Sequence, residues 1–250
     1  MNIRQALQTM TELLKQRTEE PRLEARMVLA HVMRVEATEL LFKLDEPLSR
    51  PLWESCLVLT HKRQAGYPLQ YLLGCWGFMD EIYEVEPGVL IPRPETELMV
   101  EEALRLLTFS DPVFADVGVG SGVIAISLLK RIPKAKAYGL DVNEKALALS
   151  ERNAERLGVQ ERFTSLKSDL FSNFPGGVLL DAVLSNPPYI PSGDIEKLMS
   201  EVRDYEPRSA LDGGEDGLVF YRRLAKEGMP IKPGGILLLE LGQGQAPVVQ

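Results

Sequence analysis

From residue 111 onward the chain alternates short apolar segments with segments of helical period, and that alternation leaves few folds open. Val113-Phe114-Ala115-Asp116-Val117, Ala135 to Leu140, Phe163 to Leu166, the run 178–184 and Ile236 to Leu241 each read as a strand. Helices are expected from Val123 to Arg131 and from Asn143 to Leu157. Short apolar strands separated by helices predict a parallel sheet covered on both faces, an α/β fold.

The first 74 residues have a different texture. Ile3, Leu7, Met10, Leu13 and Leu14 recur at three- and four-residue spacing, as do Ala25, Val28, Leu29, Val32 and Met33. Pro21 sits where a helix can start, and a third helix is expected from Pro51 to about Arg63. Residues 1–74 therefore read as a small helical bundle. Residues 75–93, with aromatic and β-branched residues followed by Pro87-Gly88 and Pro92, read as a β-hairpin or extended connector. A helix is expected from Glu95 to Leu107, and residues 94–250 form the expected α/β domain.

Composition excludes several classes. The chain of 250 residues carries 36 acidic against 28 basic residues, a formal charge of −8. Such a balance repels phosphate backbones, so direct nucleic-acid binding is not expected. Two cysteines, Cys56 and Cys75, are too few for a disulfide framework. The amino terminus has charges throughout and no uninterrupted apolar core of a signal peptide. No stretch approaches the ~18 to 20 apolar residues that cross a bilayer, so no membrane partner is expected and the expected location is the cytoplasm.

In open parallel sheets, ligands bind beyond the carboxyl ends of the strands, where strand order reverses. Four such ends stand out. Asp116-Val117-Gly118-Val119-Gly120-Ser121-Gly122 places glycines at alternate positions, which lets the backbone turn tightly and a ligand approach main-chain atoms. A dinucleotide fingerprint needs G-x-G-x-x-G, and here Val123 stands where the third glycine belongs. Asp141, at the end of the next strand, suits the two hydroxyls of a ribose, and equally an N-cap for the helix that follows. Asp169, with the Leu170 backbone N–H, suits the edge of an adenine, and equally ordinary turn chemistry.

The fourth end is Ser185-Asn186-Pro187-Pro188-Tyr189. Two prolines cannot continue a strand, because neither offers an N–H to the ladder. Beside an adenosine-bearing cofactor they make a stiff platform. The Asn186 side-chain carbonyl and the Pro187 backbone carbonyl supply two acceptors, which suits a planar NH2 group, and Tyr189 can stack on that plane.

Those residues in that order resemble the class I S-adenosylmethionine-dependent methyltransferases, in which N-P-P-Y follows the fourth strand. Leu90-Ile91-Pro92-Arg93-Pro94-Glu95-Thr96-Glu97 and the run from Glu206 to Gly214 narrow the resemblance to the release-factor glutamine N5-methyltransferases, the HemK/PrmC family. The resemblance implies a Rossmann-like sheet and transfer of a methyl group from S-adenosylmethionine to the glutamine of the Gly-Gly-Gln loop of peptide chain release factors. It also implies site roles. Gly118, Val119, Gly120, Ser121 and Gly122 would hold the methionine part of the cofactor, Asp141 the ribose, and Asp169 with Leu170 the adenine. Asn186, Pro187, Pro188 and Tyr189 would hold the glutamine amide, with Asn186 also against the cofactor. Arg93 and Glu97 would wall the site, and the helical domain would recognise the release factor.

Family members generally continue with a further helix and a reversed pair of strands, whereas this chain stops at Gln250. The expectation is a chain cut short at its carboxyl end, with residues 246–250 as the first turn of that helix and Ile236 to Leu241 as an uncovered edge. No metal is expected, because no Cys/His cluster has ligand spacing and His31 and His61 both lie in the helical part. The alternative function keeps the cofactor and moves the acceptor to an amino group of a nucleic-acid base, since N-P-P-Y is shared with such enzymes. A cofactor-binding domain without turnover and a dinucleotide dehydrogenase also remain open.

Overall fold

The computed structural model describes residues 1–249; Gln250, the last residue of the expected α/β domain, lies outside them. The chain forms two compact units. One comprises Met1–Gly74 with Ser200–Tyr205, and the other Cys75–Met199 with the chain from Glu206 onward.

The first unit is built on α1 (Ile3–Leu14), α2 (Pro21–Met33), α3 (Arg50–Gln64) and the short α4 (Leu69–Leu73). Asn2 caps α1 in a capping box, its side chain accepting from Gln5 N while Gln5 reaches back to Asn2 N. Proline opens α2, where its missing N–H costs nothing, and Arg34 ends the helix in the left-handed region at φ 55°. Ile3, Ala6, Met10 and Leu14 recur at helical spacing and bury one face of α1, as Ala25, Val28 and Leu29 do on α2.

A charged cluster lies inside this unit. The Arg63 guanidinium, 5% exposed, donates to both Glu24 oxygens at 2.7 and 2.9 Å and to Glu201. Arg17 donates to Ser200 Oγ at 3.2 Å, and Tyr205 packs edge-on against Tyr67. These contacts explain why Ser200–Tyr205 groups with the helices although the chain around it does not. The sequence division into 1–74, 75–93 and 94–250 differs here, because pairings across 138 residues leave no local mark.

The second unit opens with a hairpin, β1 (Cys75–Phe78) and β2 (Glu81–Glu84), followed by α5 (Glu95–Leu106). The remaining elements alternate: β3 (Val113–Val117), α6 (Val123–Arg131), β4 (Lys136–Asp141), α7 (Glu144–Arg156), β5 (Phe163–Lys167), β6 (Leu180–Ser185), α8 (Val219–Glu227) and β7 (Ile231–Leu239). The sheet order is β5-β4-β3-β6-β7, with every neighbouring pair parallel. Strand order reverses between β3 and β6, so the carboxyl ends of these central strands frame a ligand site. Every residue of β6 is buried, and four of the five in β3 are. That burial is why these strands read as apolar runs and not as alternating ones.

The hairpin packs into this unit. Phe78 and Tyr83 join the core cluster formed with α5 and α6, and Tyr83 Oη lies 2.8 Å from Ser127 Oγ. Asn153 of α7 accepts from Glu84 N at 2.8 Å and donates to Glu84 O at 3.1 Å. β7 departs from the expected Ile236 to Leu241. It begins five residues earlier, where Ile231 pairs with Leu180, absorbs Pro233-Gly234-Gly235 beside an irregularity in register, and ends at Leu239. Proline is tolerated there because β7 lies at the sheet's edge among the described strands. Ala246–Val249 forms one helical turn.

Gly139 of β4 seats the glycine turn against the sheet. A Cβ there would lie 2.7 Å from the Phe163 ring and 2.8 Å from a Val119 methyl. Gly139→Ala is expected to lower the stability of this unit by about 1–3 kcal/mol through overpacking, read as a lower denaturant midpoint with unchanged slope. An unchanged midpoint would show that the turn can move away.

Candidate active site

The glycine turn is tied to the neighbouring strand before it reaches any ligand. Gly118 N and Val119 N both donate to Leu140 O, at 2.8 and 3.0 Å, which holds the ends of β3 and β4 together. Gly118 has φ 79°, a left-handed conformation that favours glycine. A side chain at Gly118 would meet no protein atom within 4 Å. The free space is the cleft itself, which Gly118 lines.

Val119, Gly120 and Ser121 line that cleft with Gly118. Gly122 does not. It caps α6 at φ 84°, and a Cβ there would strike Ile126 at 2.7 Å and Ser150 at 3.0 Å. Its place in the motif serves the close approach of α6 and α7.

Asp141 lines the cleft. Its Oδ2 accepts from Gly120 N at 3.0 Å and its Oδ1 from Asn143 N at 2.8 Å. A carboxylate accepts about four hydrogen bonds, so acceptor capacity remains on Asp141 beyond its backbone donors, the Val142 N–H included. A ribose hydroxyl fits it. The helix is capped by Asn143, whose side chain accepts from Lys145 N at 3.0 Å, so Asp141 is not spent as the N-cap. Burial raises the Asp141 pKa, opposed by the donated backbone N–H groups.

Asp169 and Leu170 also line the cleft. Leu170 has φ 50°, unfavourable for a residue with a Cβ, and the turn is held by Ser168 Oγ, which donates to Leu170 O at 2.8 Å and accepts from Asn173 N at 3.0 Å. Asp169 pairs with Arg223 of α8 at 2.9 Å and stays half exposed. Leu90, Ile91, Pro92 and Arg93 close another wall. This segment is anchored by Glu206, which is buried: its Oε2 accepts from Ile91 N and its Oε1 from Arg93 Nη2. Glu97 does not reach the cleft. Its carboxylate accepts from Met79 N at 2.7 Å and holds the hairpin turn, where Met79 has φ 51°.

Asn186 and Pro188 line the cleft, whereas Pro187 and Tyr189 are not among its wall residues. Asn186 Nδ2 donates to Thr96 Oγ1 at 3.0 Å, and Thr96 Oγ1 donates to Glu240 Oε2 at 2.7 Å. Tyr189 turns its hydroxyl to Glu240 Oε1, at a long 3.4 Å. Burial raises the Glu240 pKa, opposed by hydrogen bonds from Thr96, Tyr189 and Asn186. Burial, then the Glu240 charge, raises that of Tyr189. Sequence alone assigns no role to Thr96, Glu206 or Glu240, although Thr96 lies within the Leu90–Glu97 segment and Glu206 opens the Glu-Pro-Arg run. Among the described residues no group of three His, Cys, Asp or Glu side chains is placed to hold a metal.

With this geometry established, comparison with known proteins is informative. Residues 5–74 match the PrmC N-terminal domain and residues 96–227 the methyltransferase small domain. A release factor glutamine methyltransferase of Geobacter sulfurreducens is 43% identical over 238 residues, covering 95% of this chain and 82% of that protein. One of Moorella thermoacetica is 41% identical over 253 residues, covering 100% and 89%. This chain belongs to the release factor glutamine methyltransferase family.

Asp116 sits beneath the cleft with no exposure, its Oδ2 accepting from Ala125 N at 3.1 Å and its Oδ1 without a partner among the described residues. Burial, and secondarily the charge of Asp141, push its pKa well above the ordinary 3.8. The folded protein then holds a proton that the unfolded chain has released, so stability falls as pH rises from that ordinary value through the raised one. Asp116→Asn, which cannot ionise, is expected to flatten this fall in a series of denaturant midpoints against pH. Parallel profiles for the two proteins would contradict it.

Proposed function

We propose that this protein transfers a methyl group from S-adenosylmethionine to the side-chain nitrogen of the glutamine in the Gly-Gly-Gln motif of peptide chain release factors. The observation that carries the reading is the state of Asn186: its amide nitrogen is committed to Thr96 and Glu240, so what it has left to offer the cleft is a carbonyl oxygen. An acceptor there suits a donor such as a carboxamide NH2. The named acceptor of the family relatives is a release factor glutamine.

The residues present fit the cofactor. Gly118, Val119, Gly120 and Ser121 leave open space against bare backbone for its amino-acid part, Asp141 keeps acceptor capacity for the ribose, and Asp169 with Leu170 faces the adenine. When bound, the cofactor supplies a sulfonium-activated methyl group to an attacking nucleophile.

The protein's task is placement. An amide nitrogen is a weak nucleophile, since its lone pair is shared with the carbonyl. Asn186 Oδ1 and the Pro187 carbonyl would each accept one N–H of the substrate amide, fixing the plane of the group and aiming its nitrogen at the methyl carbon. Both oxygens would favour the positive charge that grows on the substrate nitrogen during methyl transfer. Pro188 stiffens the backbone behind them, and Tyr189 lies beside the pair with its hydroxyl held by Glu240. Arg93, fixed by Glu206, keeps the opposite wall in place.

The helical unit is assigned to recognition of the release factor, and the second unit, Cys75–Met199 with the chain from Glu206 onward, to cofactor binding and transfer. No helix among the described residues is long and apolar enough to cross a membrane. A translation factor as acceptor places the work in the cytoplasm.

Incubation of a release factor with the protein and S-adenosylmethionine, followed by mass analysis of the Gly-Gly-Gln peptide, should find one methyl group on the glutamine. Methyl groups on nucleic acid and none on the peptide would overturn the reading. Asn186→Ala is expected to lower turnover about 10²-fold or more with cofactor affinity retained, because the lost contact acts on the reacting group. Asp141→Ala should do the reverse and mainly weaken cofactor binding in calorimetry.

A further inference from the structure

The carboxamide of Asn186 is nearly symmetric in shape and opposite in chemistry at its two ends. One end accepts hydrogen bonds and the other donates two. Shape alone does not decide which end meets the substrate. Presenting the NH2 end to a glutamine NH2 would set donor against donor and leave the Pro187 carbonyl as the one acceptor. Something in the fold must select the polarity, and the selection is visible in a chain of three side chains.

Glu240 is the first residue past the end of β7, where its backbone N–H donates to Ser185 O, immediately before Asn186. An ionised carboxylate only accepts hydrogen bonds. The Thr96 hydroxyl, 2.7 Å away, must therefore give its single proton to Glu240. Having spent that proton, Thr96 Oγ1 can only accept, and the partner 3.0 Å away must be a donor. Asn186 can meet that demand only with its NH2 end. With Glu240 ionised each step leaves one choice, and its direct hydrogen bond from Asn186 demands the same NH2 end of the carboxamide. Thr96 is buried at the start of α5, so water does not compete for its hydroxyl. The Tyr189 and Tyr221 hydroxyls bind the same residue, Tyr189 at Oε1 and Tyr221 at the backbone carbonyl, the latter at 2.8 Å, which holds Glu240 in place.

We propose that Thr96 and Glu240 are positioning residues that set the polarity of the Asn186 carboxamide, so that its oxygen and not its nitrogen faces the substrate amide. The proposal rests on the functional reading above. Glu240 is not among the cleft's wall residues, whereas Thr96 is; both are assigned to act through Asn186. Glu240→Gln would break the chain of direction, because a carboxamide at 240 can donate to Thr96, let the hydroxyl turn round and admit the flipped Asn186. Thr96→Val keeps the shape and deletes the relay.

The test is steady-state methyl transfer to a purified release factor, with S-adenosylmethionine affinity measured separately by calorimetry. Thr96→Val and Glu240→Gln are each expected to lower kcat about tenfold or more while cofactor Kd stays within about twofold of wild type, since the lost alignment acts in the transition state. Thr96→Ser, which restores the hydroxyl, should recover most of the Thr96→Val loss, an outcome that a packing role for the threonine methyl would not give. In an Asn186→Ala background, Thr96→Val should cost less than about twofold more, because residues acting as one unit are not additive. Glu240→Gln carries the test if Thr96→Val fails to fold. An active wild-type protein with full kcat in both variants, or a Thr96→Val loss that persists undiminished without Asn186, overturns the proposal alone. A wild-type protein that binds the cofactor and methylates no release factor overturns the functional reading, and this proposal with it.

Discussion

The structure depends on where β6 is made to stop. Leu180–Ser185 is buried throughout between β3 and β7, and a strand in that position would ordinarily continue as long as its neighbours pair with it. Pro187 and Pro188 withhold two ladder donors in succession, so the chain must leave the sheet at Asn186. The exit coincides with the point where strand order reverses, and it faces the ends of β3 and β4. A rigid departure from a rigid strand gives Asn186 a fixed origin. The Thr96 and Glu240 contacts then fix its orientation.

Charge is distributed around the cleft with the same economy. Asp141 is engaged by backbone N–H groups of Gly120, Val142 and Asn143 and keeps acceptor capacity for a ligand. Glu206 is buried and spends both oxygens on the Ile91–Arg93 segment, which turns a proline-rich loop into a wall. A buried carboxylate of this kind is expensive to desolvate and is retained where its partners fix geometry that apolar packing does not. Glu24, Arg63 and Glu201 do comparable work inside the helical unit, where they bind Ser200–Tyr205 to the helices.

Much of this was legible in the sequence, for physical reasons. Central parallel strands are buried on both faces and so appear as apolar runs, which made the sheet readable. Asp141 and Asp169 stood out because a strand-end rule singles out the residue where the ladder stops. The same rule failed for Glu240 through a boundary error. The expected strand, Ile236 to Leu241, contains Glu240; the ladder's last pair is Ser185 with Leu239, so β7 stops there and Glu240 is the first residue beyond its end. Gly122 shows another limit, since a glycine that yields to a ligand and one that yields to a neighbouring helix look alike in a motif. Glu97 and Ser200–Tyr205 show the third. Their partners, Met79 and the Arg17–Arg63 pair, are distant in the chain, and hydrogen bonds of that kind leave no period to read.

The central claim is that the cleft grips a flat carboxamide through two oxygen acceptors. A crystal structure of the protein with S-adenosylhomocysteine and a Gly-Gly-Gln peptide tests it most directly. The account predicts the peptide's glutamine nitrogen within about 3 Å of both Asn186 Oδ1 and the Pro187 carbonyl, with Asn186 Nδ2 still on Thr96. A peptide glutamine bound elsewhere, or an Asn186 carboxamide turned with its nitrogen toward the cofactor's sulfur, would contradict it.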